Sequence, residues 1–264
     1  MSAIVFLGGG RITSALLAGL RLAKYKQRII VHDCNSQKLR DLRRIYGVEV
    51  ESDLRRAVSQ ARLLIIAVRP DSVGELLRHI GSVEWPLAAV SLAAGVPMAR
   101  LRAGLRPPVR WARAMPSPTC RSGRGLTAVT FDRNFPSRSQ RDVCELFSEV
   151  GPVLEIPEFK FDAFTVTYSC SHGYHALATL AAAAGKLGLD QKTALAAAAH
   201  ALADGIAAWR EGDNSLDALI EEAATPGGIA AAVIDAMDRA GYARVIDKGL
   251  DAGKKRARQN ARKA

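Results

Sequence analysis

From the N-terminus to about residue 155, short apolar runs rich in β-branched residues alternate with longer stretches whose apolar positions recur at helical spacing. Ala3 to Leu7, Arg28 to His32, Leu63 to Val68, Leu87 to Leu92 and Val109 to Ala112 read as strands. Ile12 to Leu22, Ser36 to Tyr46, Leu54 to Ser59 and Ser72 to Ile80 read as amphipathic helices between them. Strand runs with so few polar interruptions imply a sheet covered on both faces, and regular strand and helix alternation implies that its strands are parallel. Leu126 to Phe131 adds a strand and Ser137 to Val150, after Pro136, a helix. The pattern predicts an N-terminal α/β Rossmann domain, a doubly wound parallel sheet, over residues 1–156.

After Pro157 the strand signals nearly vanish and alanine dominates, notably from Ala176 to Ala184 and from Ala194 to Ala203. Alanine has the highest helix propensity, so residues 157–264 are expected to form an all-α helical domain. Gly212 and Asn214 suggest a break, Ser215 a cap, and Pro226, Gly227 and Gly228 a loop before another helix. Small side chains bury little apolar area per helix. Such helices gain from packing on a second copy, so this half is the expected site of dimerisation.

Composition changes this picture little. With 264 residues, 48% of them hydrophobic, there is ample material for a core. The net charge of +11 raises the question of nucleic acid. Much of the excess lies in Lys254, Lys255, Arg256, Arg258, Arg262 and Lys263 and in Arg40, Arg43, Arg44, Arg55 and Arg56, with no recognised binding motif. These read as a frayed basic tail and solvated helix faces that attract anionic cofactors and small acids; nucleic acid is not the expected partner. Cys34, Cys120, Cys144 and Cys170 form no CxxC pair, which argues against a zinc site or disulfide framework and for a reducing, cytoplasmic setting. Gly8 to Arg11 interrupt the apolar opening, so it is not read as a signal peptide, and no apolar run reaches membrane-spanning length.

The chemistry starts at that interruption. Gly8, Gly10 and Thr13 occupy the positions of a GxGxxG fingerprint between a strand and a helix. The first glycine permits the tight turn, and the second lets backbone approach a pyrophosphate on the helix N-terminus, with Arg11 and Ile12 in its first turn. Thr13 in place of the third glycine is expected to hold helix and strand slightly further apart. Asp33 follows the second strand about 20 residues on, where a carboxylate accepts hydrogen bonds from an adenosine ribose. Its charge disfavours a 2′-phosphate and argues for NADH over NADPH, although Lys38 and Arg40 nearby oppose it.

With these residues in view, FLGGGRITSALLAGL at Phe6 to Leu20 resembles the opening of pyrroline-5-carboxylate reductases, commonly FIGxGNMxxAL. In order along the chain, Val68, Arg69 and Pro70 resemble VKP, Ser91 to Val96 (SLAAGV) resembles SxAAGV, and Arg113 to Pro116 (RAMP) the start of RxMPNTP. Phe161 to Thr165 resembles FDAxT, Gly185 to Leu189 AGxxLGL, and Thr225 to Gly228 SPGG. The resemblance implies a Rossmann domain followed by a helical dimerisation domain, in a homodimer or larger ring. It also implies hydride transfer from NADH or NADPH to the C=N carbon of a cyclic imino acid, Δ1-pyrroline-5-carboxylate, giving proline. Val68, Arg69, Pro70, Ala93 and Met115 then join the cofactor contacts, and Ser171, Thr225, Gly227, Gly228 and Ala230 the substrate contacts.

Departures cluster in the helical half. Where the family has SGSGPA, this chain has Tyr168 to Gly173, placing Cys170 at a serine and His172 at the proline. Ala230 stands where a substrate-contacting threonine is usual, Ser117 at the asparagine of MPN, and Thr179 or a neighbour at a glutamate. Cys170, His172 and Thr225 are the candidate catalytic groups, His172 as proton donor to the imine nitrogen. His172 and His175, three apart, share a helix face with Cys170 nearby, but hydride transfer to an imine needs no Lewis acid and no metal is expected. Arg113, closing a strand at the edge where ligands gather, reads equally as a ligand contact or as a solvent-facing side chain. Two alternatives stay open: a non-catalytic dinucleotide-binding sensor or scaffold, and a reductase of a different imine.

Overall fold

The computed structural model describes residues 3–263, and they divide into two compact units. One runs to Tyr168 and includes the segment from Ala252 onward; the other is Ser169–Asp251. Composition divides the chain at 156/157, whereas the first unit runs on to Tyr168 and takes in the segment from Ala252.

The first unit is built on an eight-stranded sheet: β1 (Ala3–Leu7), β2 (Ile29–His32), β3 (Glu49–Val50), β4 (Ala61–Ile66), β5 (Leu87–Ser91), β6 (Val109–Met115), β7 (Thr127–Phe131) and β8 (Val153–Glu155). Their order is β3-β2-β1-β4-β5-β6-β7-β8. All neighbours are parallel except β6 and β7, which pair antiparallel from Ala112 with Phe131 to Met115 with Ala128. Side chains alternate across the sheet. In β4, Leu63 and Ile65 face a core with α1 (Arg11–Leu22), α2 (Ser36–Tyr46) and α6 (Ser137–Ser148), whereas Leu64 and Ile66 face one with α3 (Leu54–Ser59), α4 (Val73–Ile80) and α5 (Met98–Gly104). Both faces are covered, as the unbroken apolar runs require.

Several boundaries differ from the sequence reading. β4 starts and ends two residues early, and β6 runs three residues past Ala112 because its Arg113 is covered rather than solvated. β3 and β8 are too short to show a period, and α5 is seven residues long. Helix α7 (Glu158–Thr167) carries FKFDAFTVT, in which aromatic and β-branched residues mask the helical signal.

The second unit comprises α8 (Cys170–Lys186), α9 (Gln191–Glu211), α10 (Leu216–Ala223), α11 (Ile229–Arg239) and the start of α12 (Tyr242–Lys263). Ser169, Asp190 and Ser215 cap α8, α9 and α10 through side-chain oxygens. Helices α8 and α9 pack together, yet Ala194 and Ala198 are the buried apolar side chains of this unit among the described residues. The basic tail, expected to be frayed, is the end of α12. Ala257 is buried there against the Gly95 backbone, and Asn260 Nδ2 donates to the Ala94 carbonyl at 3.2 Å.

Candidate active site

The turn after β1 is shaped by contacts that no other residue type satisfies. Gly8 has φ +111°, and a Cβ there would lie 2.8 Å from the Ala67 carbonyl oxygen, so the first glycine is demanded by the neighbouring strand as well as by the turn. Its N–H donates to His32 O at 2.8 Å, and its carbonyl accepts from the Thr13 hydroxyl at 2.5 Å. Thr13 is fully buried. Its hydroxyl is a tie between the first turn of α1 and the glycine turn. Gly10, the N-cap of α1, faces open space where a Cβ would stand. The amides of the first turn of a helix have no intrahelical acceptor, so an exposed cradle with helical dipole behind it is presented here. Arg11 is exposed at its mouth, and Ile12 packs beneath on the core.

Asp33 sits just after β2, beside this turn. Its Oδ2 accepts from Gly9 N at 2.8 Å and lies 3.5 Å from Lys38 Nζ; its Oδ1 accepts from Asn35 N at 2.8 Å. The side chain is only 8% exposed. Burial would raise its pKa, but the amide hydrogen bonds from Asn35 and Gly9 and the Lys38 charge outweigh burial and hold the carboxyl below its ordinary value. Asp33 is thus a fixed anion that also ties down the glycine turn.

Val68, Arg69 and Pro70 follow β4, Ala93 follows β5 and Met115 ends β6, so the expected cofactor residues share the C-terminal edge of the sheet. β1 and β4 are adjacent although β2 precedes β4 in sequence, which makes their ends the topological switch point where ligands bind in open α/β sheets. Arg69 is exposed and 3.6 Å from Asp71; Val68 is half-buried and Ala93 buried. Ser117, at the position of the family's asparagine, is buried and accepts from Thr119 N at 3.4 Å.

Arg113 takes neither role open to it. It is 2% exposed beneath α7, with Nη2 3.0 Å from Asp162, Nη1 3.5 Å from Glu158 and its guanidinium 4.4 Å from the centre of the Phe161 ring. The sequence reading missed Glu158 and Asp162; their spacing of four, one helical turn, was the available signal.

In the second unit, Cys170, Ser171 and His172 form the first turn of α8, capped by Ser169 through Ser171 N and joined by a 2.7 Å contact between the two serine hydroxyls. Ser171 and His172 are exposed. Thr225 O accepts from Gly228 N at 2.9 Å, Gly227 has φ +80°, and Gly228 caps α11, leaving Ala230 exposed in its first turn. Both groups are helix starts, but α8 and α11 do not pack extensively on one another in the chain. Among the described residues no three His, Cys, Asp or Glu side chains group as a metal site; His175 Nδ1 instead lies 3.3 Å from the Thr179 hydroxyl. No described helix is long and apolar enough to cross a membrane.

Comparison with known proteins bears on both units. A family model described as pyrroline-5-carboxylate reductase dimerisation matches residues 158–260, and one described as NADP oxidoreductase, coenzyme F420-dependent, matches residues 3–95. The pyrroline-5-carboxylate reductase of Mycobacterium leprae is 29% identical, covering 98% of this chain and 97% of its own; that of Corynebacterium melassecola is also 29% identical, covering 91% and 92%. The fold is shared with the crystal structure of Plasmodium falciparum pyrroline carboxylate reductase with NADP bound, at a TM-score of 0.88 and 18% identity over 98% of each chain.

Proposed function

We propose that the chain belongs to the pyrroline-5-carboxylate reductase family and reduces Δ1-pyrroline-5-carboxylate to proline with a reduced nicotinamide dinucleotide. The observation that carries the reading is the intact glycine turn in a chain similar to these reductases along nearly its whole length. The turn fits the cofactor: Gly10 opens onto space beside first-turn amides, as a diphosphate requires. Gly8, Gly10, Arg11 and Ile12 hold that diphosphate, and Val68, Arg69, Pro70, Ala93 and Met115 line the remaining edge. Asp33 stands on the ribose side with its charge intact, which favours NADH.

The bound reduced nicotinamide supplies a hydride to the C=N carbon, and a proton at nitrogen completes the saturated ring. A protonated imine is already electrophilic, so the chain's work is mainly to hold and orient. The backbone N–H groups at the start of α11, with Gly227 and Gly228, are suited to the substrate carboxylate, and Thr225 adds a hydroxyl. Ser171 and Ala230 complete the substrate wall. His172 supplies the proton at nitrogen, with Cys170 beside it.

These groups lie on helices whose apolar side chains are largely uncovered, so a second copy of the chain assembles them, making the enzyme a homodimer or larger homo-oligomer. The cysteines are free thiols, which suits a reducing compartment and supports a cytoplasmic enzyme. The test is direct: purified protein oxidises NADH or NADPH when given Δ1-pyrroline-5-carboxylate. No oxidation with five- and six-membered cyclic imines would overturn the reading. Dinucleotide binding without turnover would instead favour a sensor or scaffold, a reading supported by the rewritten first turn of α8.

A further inference from the structure

The loop from Leu92 to Pro97 leaves β5 on the far side of the switch point from β2, and so borders the nicotinamide half of the proposed cleft rather than its adenosine half. Leu92 N donates to Ile66 O at 2.9 Å, but beyond it the local hydrogen bonds are long, from Ala93 N to Ser91 Oγ at 3.3 Å and from Val96 N to Ala93 O at 3.4 Å. Stronger constraints come from outside. Met98 N, at the loop's exit, donates to Glu158 Oε1 at 2.7 Å, and Asn260 Nδ2 donates to Ala94 O at 3.2 Å. Gly95, at φ +76°, has the Ala257 backbone so close that a Cβ would stand 2.5 Å from its carbonyl oxygen.

The outside groups are themselves braced. Arg113 holds Glu158 and Asp162 from below, with its guanidinium over Phe161, so the start of α7 is fixed to β6. A Cβ on Gly253 would lie 3.0 Å from Val166, which places the middle of α12 against the end of α7. Arg113 Nε has no hydrogen-bond partner among the described residues, a cost that the buried cluster carries.

We infer that Asn260 and Glu158, with Arg113 supporting Glu158, are positioning residues that fix the 92–97 loop for the nicotinamide end of the cofactor. The inference rests on the reading of the cleft as a dinucleotide site. It gives the C-terminal turns of α12 a role in cofactor recognition although they lie some 160 residues from the loop in sequence.

The experiment compares affinities of the full chain for NADH and for ADP-ribose, which lacks the nicotinamide ring. Asn260→Asp keeps the shape of the side chain but removes the donor to Ala94 O; Glu158→Ala removes the acceptor for Met98 N. Both variants should bind NADH about five- to tenfold more weakly, as expected for one lost hydrogen bond, and bind ADP-ribose as the parent does. Glu158→Gln retains an acceptor and should recover most of the loss. Unchanged NADH affinity in the two weakening variants, or an equal fall for ADP-ribose, would overturn the inference. Failure of the parent protein to bind either ligand would overturn the functional reading itself, so the two failures are distinguishable.

Discussion

At the scale of single residues, charge and hydrogen-bond supply decide what each side chain can do. The Asp33 carboxylate is held as an anion by an amide donor at each oxygen, so its charge bears on cofactor choice while lone pairs remain for a ribose hydroxyl. Asp33→Asn should therefore raise the NADPH-to-NADH ratio of kcat/KM several-fold, read from initial rates with each cofactor; an unmoved ratio would show that this charge is not felt at the ribose. Because its folded pKa is lowered, Asp33 contributes stability above the ordinary carboxylate pKa, and that contribution is lost as pH falls through the folded value. Tyr25 has the opposite sign. Burial, reinforced by the Glu145 charge and opposed by Arg62, pushes its pKa up to about 12, and its hydroxyl has no partner among the described residues. The protonated form is favoured in the folded chain, so this stability is complete below the unfolded pKa of about 10 and is lost as pH rises toward the folded value. Urea denaturation near pH 8 and 11 should show Tyr25→Phe losing less stability than the parent between the two conditions. Equal losses would mean that the Tyr25 hydroxyl is solvated.

Elements were legible where one physical signal dominated. The central strands and helices α1 to α4 follow from apolar runs and helical spacing, and Asn35 and Asp53, which accept from first-turn amides, show why α2 and α3 start where they do. Helix α7 was hidden because its FKFDAFTVT sequence satisfies a strand as well as a helix; what selects the helix is the Pro157 start and the tie from Glu158 and Asp162 to Arg113, a contact between residues 45 or more apart. The same distance hid Arg113's role, since a strand-end arginine looks alike in sequence whether it faces solvent or an acidic helix. The glycine turn was legible to the residue because its spacing is a local pattern, although part of what demands Gly8, the nearby Ala67 carbonyl, is distant in sequence; the Thr13 tie depends on a side-chain rotamer that spacing does not report. The helical half was legible as helices but not as a site. Cys170 and His172 lie on one helix start and Thr225 beside another, and no local pattern states whether two such starts meet.

For the whole molecule, the decisive quantity is the apolar surface left uncovered by the second unit. Ile229 is 87% exposed, and Ile206, Trp209, Val233 and Val245 are each close to half exposed or more, on α9, α11 and α12. Four helices and the start of a fifth, with two buried alanines between them among the described residues, do not form a core that offsets the entropy of ordering them, while the first unit has two complete apolar layers of its own. Folding of the second unit is therefore coupled to association, and its stability should depend on protein concentration. The parent chain should sediment as a dimer or larger species at micromolar concentration. Ile206→Lys combined with Val233→Lys, which places charge on the uncovered faces of two helices, should shift it toward monomer and abolish imine reduction. NADH should still bind, because the glycine turn, Asp33 and the 92–97 loop belong to the unit that keeps its own core. A parent chain that sediments as a monomer with full activity would separate catalysis from assembly. It would leave the exposed helix faces without the partner that their composition demands.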